Sequence, residues 1–251
     1  MAGALLLKGH VALVTGASRG IGRAIATLLA REGCDVALVA RQADALRAAQ
    51  ADCAAFGVRA VPLVADLNDA PAIAAAIAQC VEALGGLNVL INNAGVHQFA
   101  SALTADLETW DRILNINLRA VMHATRLALP HIVAGARAGQ RGAVIFISSL
   151  GGKFTAPTNA AYAATKHALT GFSGCVFEDV RDFGVKVSVI YPGWTNTGLL
   201  PDWLTADQVI QPADVAEAVR FVLAAPPTAC PTEIVLQPQS SRAGELFGPD
   251  D

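Results

Sequence analysis

Tyr162 and Lys166 stand four residues apart in Tyr162-Ala163-Ala164-Thr165-Lys166. That spacing sets a phenol and an ammonium on one face of a helix. A free phenol, with a pKa of about 10, is a poor proton carrier near neutrality. A cation held nearby favours the phenolate and draws the pKa towards the working range. Thirteen residues ahead of the tyrosine lies Ser149, in Ile147-Ser148-Ser149. A second cluster, Thr15-Gly16-Ala17-Ser18-Arg19-Gly20-Ile21-Gly22, suits different chemistry. Its glycines let a backbone turn sharply beside a pyrophosphate, and the amphipathic run Ile21, Ile25, Leu28, Leu29 behind it offers the N–H groups of a helix start.

The elements that must position these groups are legible as short apolar runs: Val11–Val14, Val36–Ala40, Val61–Ala65, Leu87–Ile91, Ala143–Ile147, Val187–Ile190 and Ile234–Leu236. Each is continuous rather than alternating, as strands covered on both faces are. Helical stretches lie between them. One carries Leu169, Phe172, Val176, Val180 and Phe183 as an apolar stripe. Another is the Ala-rich 70–83, and Pro212 suits the first turn of a helix over 213–224. Seven strands alternating with helices predict one α/β domain over 1–251, a doubly wound parallel seven-stranded sheet with helices on both faces. Pro62 places the third strand at a sheet edge, where dinucleotide-binding folds have it. A short lid over about 198–211 and an irregular tail over 239–251 complete the expected organisation.

Composition narrows the function. Of 251 residues, 53% are apolar and 16% charged, which excludes a disordered chain. A net charge of −3 gives no electrostatic reason for binding nucleic acid or an anionic membrane. No apolar run reaches the ~20 residues of a membrane-spanning helix, and Met1 to Leu7 lacks the basic start of a signal peptide. Cys34, Cys53, Cys80, Cys175 and Cys230 stand far apart, without metal-ligand spacing. They read as small buried hydrophobes, and a cytoplasmic, metal-free enzyme of small metabolites is expected.

Cofactor choice turns on one position. An acid at the end of strand two would hold the ribose 2′-hydroxyl of NAD. Ala40 stands there, followed by Arg41, with Asp35 too early and Asp44 too late. Arg19 and Arg41 suit a 2′-phosphate, so NADP(H) is expected.

The glycine spacing G-x-x-x-G-x-G, Asn92-Asn93-Ala94-Gly95, Asn117, Ser149, Y-x-x-x-K and Tyr191-Pro192-Gly193 resemble, in order and spacing, the compact short-chain dehydrogenases/reductases. The resemblance runs from about Lys8 to Val222. It implies hydride transfer between a nicotinamide and a carbonyl or secondary alcohol. Tyr162 would carry the proton, Ser149 orient the reacting oxygen, Lys166 bind the nicotinamide ribose and lower the tyrosine pKa, and Asn117 hold a relay water. Gly16, Ser18, Arg19, Gly20, Ile21, Gly22, Arg41, Asp66, Leu67, Asn93, Ala94, Gly95, Pro192, Gly193, Thr195 and Thr197 would border the cofactor. Leu150, Phe154, Trp194 and Trp203 could wall an apolar substrate pocket or pack on the protein itself. His97 reads as a loop histidine that could also touch substrate. The resemblance implies a homodimer or homotetramer. Glu233 to Pro238 lacks the usual closing glycine pair, which favours pairing through the helices around 107–137 and 158–183. Two other readings compete. An inactive NADP-binding sensor should have lost the tyrosine or lysine. A sugar-nucleotide epimerase should carry G-x-x-G-x-x-G and an added domain, and only 29 residues follow Val222.

Overall fold

The structure is a computed structural model and describes residues 5–198, 200 and 203–240. Seven strands form one parallel sheet in the order β3-β2-β1-β4-β5-β6-β7. They are β1 (Val11–Thr15), β2 (Asp35–Ala40), β3 (Ala60–Val64), β4 (Val89–Asn92), β5 (Gly142–Ile147), β6 (Val185–Pro192) and β7 (Glu233–Leu236). Between them run α1 (Gly20–Arg31), α2 (Ala43–Ala54), α3 (Ala70–Leu84), α4 (Leu107–Leu114), α5 (Ala120–Arg137), α6 (Ala160–Val180) and α7 (Pro212–Ala224). The doubly wound expectation holds, and Pro62 sits in the edge strand β3, as its missing N–H requires.

Two apolar layers hold the sheet. On one face, Ala12, Val14, Val36, Leu38, Val89, Ile91, Ile145 and Ile190 meet α1, α2 and α7 through Ile25, Leu29, Leu46 and Val219. On the other, Leu13, Val39, Leu90, Val144, Phe146 and Val189 meet α3, α5 and α6 through Ile77, Ala124, Ile132, Leu169 and Val176. Successive residues of the inner strands go to opposite layers, which explains continuous rather than alternating apolar runs. Of the expected stripe on α6, Leu169, Val176 and Val180 are buried and Phe172 packs against them. Phe183 lies beyond the helix and is more than a third exposed. Cys34, Cys53 and Cys80 are core residues, whereas Cys175 is exposed. Burial pushes the Cys53 thiol up to about 11 and Cys80 to about 12.

Lid residues 199, 201 and 202 and the tail from 241 onward lie outside the described residues. The described part of the lid holds a short 3₁₀ turn at Ala206–Gln208. No helix among the described residues is long and apolar enough to cross a membrane.

Candidate active site

Parallel strands deliver their carboxyl ends to one rim, and β1 and β4, whose connections leave in opposite directions, part there to open a crevice. The turn after β1 lies on one lip. Gly16 and Gly20 adopt φ of +67° and +54°, which side-chain-bearing residues rarely tolerate. Gly22 is needed for closeness: a Cβ there would stand 2.3 Å from the Gly16 carbonyl oxygen. Arg19 occupies the N-cap of α1 but its side chain makes no cap hydrogen bond, and no acid sits in the first turn. The free N–H groups and positive dipole end of α1 therefore face the crevice without an internal anion, as a bound phosphate requires.

Asn93 braces this turn from β4. Its amide Nδ2 donates to the Thr15 carbonyl at 2.8 Å, and the Thr15 hydroxyl accepts from the Asn93 and Ala94 N–H groups at 3.0 Å each. Among the cofactor residues expected from the sequence, Asn93 thus positions the glycine turn through its side chain. The loop after β6 closes against the same turn, for a Cβ on Gly20 would lie 3.2 Å from Thr197 Cγ2. Gly193 is fitted against Leu150 and Pro238, and the Thr195 hydroxyl donates to the Gly193 carbonyl at 2.9 Å.

At the adenosine end, Ala40 closes β2 and Arg41 follows it, exposed. Asp35 is occupied at the far end of the strand by Arg59, whose N–H and Nε donate to its carboxylate at 2.7 and 2.8 Å. Arg19 and Arg41 take part in none of the ion pairs among the described residues. Asp66 is exposed after β3 and caps its own turn, with Oδ1 accepting from the Asn68 N–H at 2.9 Å; Leu67 follows, half-buried.

The proton-handling groups gather between β5 and α6. Lys166 is 4% exposed, and its Nζ donates to the Ile147 carbonyl at 3.0 Å. Burial pulls the ammonium down to about 8. Nζ lies 5.5 Å from the Tyr162 ring centroid. The Tyr162 phenol is pushed up by burial, and a hydrogen bond with the Ser149 hydroxyl pulls it the other way. Lys166 adds no lowering of its own to the phenol. Helical spacing put both residues on one face, but the ammonium is drawn to the β5 carbonyl rather than to the phenol oxygen. Ser149 Oγ also accepts the Gly151 N–H at 3.1 Å, which fixes its rotamer.

Asn117 is held by the loop after β4. It lies in a π-helical turn, Asn115–Arg119, that joins α4 to α5. Its amide pairs with the backbone of Val96, Oδ1 accepting from N–H and Nδ2 donating to C=O, both at 2.8 Å. Nδ2 also reaches the Thr165 hydroxyl at 3.4 Å. Asn117 is 1% exposed.

Of the four expected substrate residues, the two tryptophans meet each other. Trp194 meets Trp203 edge to face at 6.1 Å, over Leu204 and Val209. Phe154 is 54% exposed and Leu150 packs beside Gly193. A cavity of about 540 Å³ bounded by Gly20, Arg23, Asp52, Phe56, Thr197 and Glu217 lies between α1, α2 and α7, behind the turn, and holds none of the proton-handling groups. One contact escaped the sequence: His97 packs on Tyr162 with ring centroids 4.4 Å apart. Its place two residues after Asn92-Asn93-Ala94-Gly95 was the only hint.

A doubly wound sheet, a glycine turn opening an uncapped helix and a Ser–Tyr–Lys corner define a dinucleotide-dependent oxidoreductase. The family model for short chain dehydrogenase matches residues 10–208. D-beta-hydroxybutyrate dehydrogenase of Cupriavidus necator is 33% identical over 98% of this chain and 88% of its own. Glycine betaine reductase ATRR of Emericella nidulans is 32% identical over 93% of this chain, which spans only 19% of that longer protein. A metagenomic short-chain oxidoreductase solved in complex with NADP is 36% identical, covering 93% of this chain and 99% of its own, with a TM-score of 0.82. Carveol dehydrogenase of Mycobacterium avium, solved with NAD, shares the fold at a TM-score of 0.83 and 24% identity over 92% and 96% of the two chains. The chain belongs to the short-chain dehydrogenase/reductase family, whose members are nicotinamide-dependent oxidoreductases of alcohols and ketones.

Proposed function

We propose that the protein is an NADP(H)-dependent carbonyl reductase or alcohol dehydrogenase in which Tyr162 carries the proton. The observation that carries the mechanism is the meeting of Ser149, Tyr162 and Lys166 at the end of β5, with the phenol hydrogen-bonded to the Ser149 hydroxyl. A nicotinamide, when bound, supplies or accepts the hydride. In reduction, Tyr162 gives its proton to the carbonyl oxygen, and Ser149 donates a hydrogen bond that orients that oxygen. In oxidation the phenolate takes the proton back, so burial of the phenol favours the reductive direction near neutrality. Lys166 holds the nicotinamide ribose and supplies a cation near the phenolate. Asn117 fixes the Val96 backbone next to Gly95 through its side chain and would hold a relay water that passes protons to Lys166.

The cofactor cradle consists of Gly16, Ser18, Gly20, Ile21 and Gly22 around the pyrophosphate, Gly95 and Ala94 along the ribose, and Pro192, Gly193, Thr195 and Thr197 at the nicotinamide end. The fit rests on the bare start of α1 and on the space kept by Gly22. The preference for NADP(H) rests on Ala40 in place of an acid and on two arginines outside every described ion pair. A charge-assisted hydrogen bond to phosphate contributes about 1.5–3 kcal/mol, or roughly tenfold in affinity and more. Ala40→Asp with Arg41→Ala reverses the preference, because the carboxylate repels phosphate while accepting from the ribose hydroxyls. Comparing kcat/KM for the two cofactors in both proteins decides it; a wild-type preference for NADH overturns the assignment. Leu103, Leu107, Leu114, Met122 and Leu127 are exposed along and just before α4 and α5, which supports self-association through that face.

A further inference from the structure

His97 is exposed, yet it is held on three sides. Phe99 meets its ring edge-on at 4.2 Å, Tyr162 lies against it at 4.4 Å, and Nε2 is 2.6 Å from Asn159 Oδ1. The segment supplying Asn159 is itself fixed. Thr158 adopts φ of +62°, unusual for a β-branched residue, and its carbonyl accepts the Ala100 N–H at 2.8 Å. Two loops, after β4 and before α6, are thus tied together next to the proton donor, with strain of the kind that persists where surrounding structure over-determines it.

In the tautomer that donates from Nε2 to the Asn159 carbonyl oxygen, Nδ1 is the ring's acceptor. The groups that hold His97 are an amide and two aromatic rings. A free acceptor beside Tyr162 suits a hydroxyl group. We propose that His97, set by Asn159, is a specificity residue whose Nδ1 accepts a hydrogen bond from a hydroxyl on the carbon next to the reacting carbonyl. The favoured substrates are then α-hydroxy ketones, or vicinal diols in the oxidative direction. This rests on the reading of Tyr162 as the group at the reacting oxygen.

The test compares α-hydroxyacetophenone with acetophenone, which differ only in that hydroxyl, using NADPH oxidation by the whole protein. The wild type favours the hydroxy ketone about tenfold or more in kcat/KM, as one hydrogen bond allows. In His97→Phe the ratio collapses towards one, because the loss falls on the hydroxy ketone alone, and His97→Gln, with a carbonyl oxygen to accept, restores part of it. Equal wild-type values, or a loss shared equally by both ketones in His97→Phe, overturn the proposal and leave His97 as packing for Tyr162. If neither ketone is reduced, the reductase reading is in error, and the subsite is judged by the quenching of tryptophan fluorescence on titration with each ketone. A wild-type preference for the hydroxy ketone that His97→Phe removes supports the subsite, and equal affinities refute it.

Discussion

Replacing Lys166 by Met changes the pH dependence of stability in a direction set by the burial of the ammonium. Lys166 is 4% exposed, and its fall from 10.5 to about 8 means that the charged form is disfavoured in the folded protein. At 1.36 kcal/mol per unit, this is a penalty of roughly 3 kcal/mol. The sign follows from proton binding. Below about pH 8 both states hold the proton and the folded protein bears the whole penalty. Between about 8 and 10.5 the unfolded chain holds the proton and the folded one does not, so stability rises with pH. About 2.5 kcal/mol is regained between pH 7 and pH 10 by linkage. Lys166→Met has no such dependence, and subtracting its stability from that of the wild type removes every other titrating group. At pH 7 the variant also leaves the Ile147 carbonyl without its donor, which offsets part of the relief by about 1–3 kcal/mol. Urea unfolding of both proteins at the two pH values measures the double difference. A difference that does not move with pH would mean that the Lys166 ammonium is solvated and that the corner is not desolvated.

Gly22→Ala places a methyl group against the Gly16 carbonyl and the Asn93 amide, both within 2.4 Å. Because backbone must move, NADPH affinity falls at least tenfold and the unfolding midpoint drops; an unchanged dissociation constant by fluorescence titration would remove the turn from the cofactor site. The pH profile of carbonyl reduction is flat around neutrality and falls above about pH 8, where Lys166 loses its charge while Tyr162, raised by burial, keeps its proton. A profile that rose through that range would assign the proton to another group.

The fold was legible because the inner strands are buried on both faces and the crossover helices are long enough to declare their period. Pro62 even located the sheet edge. The Ser149, Tyr162 and Lys166 corner was legible through a family pattern, since strand ends and one helical turn bring those residues together. What the sequence withheld depends on side-chain partners from distant segments. Asn117 meets Val96, Asp35 meets Arg59, and His97 meets Asn159 and Tyr162. No periodicity encodes these pairs. The lowered tyrosine pKa was expected from helical spacing and from the family pattern, and neither says which carbonyl captures the lysine. The substrate residues stayed open for a related reason: apolar lid side chains serve equally to wall a pocket or to cover one another, and Trp194 and Trp203 meet each other.

The central claim is that Tyr162 carries the proton in an NADP(H)-linked hydride transfer. Tyr162→Phe keeps the ring that packs on His97 and removes only the hydroxyl. The direct measurement is kcat for NADPH-linked ketone reduction, with the NADPH dissociation constant measured alongside in the same preparations. General acid catalysis contributes about 10²–10⁴-fold, so kcat should fall by that factor while NADPH binds within about twofold of the wild type. A folded Tyr162→Phe variant that turns over at a near-normal rate would contradict the account.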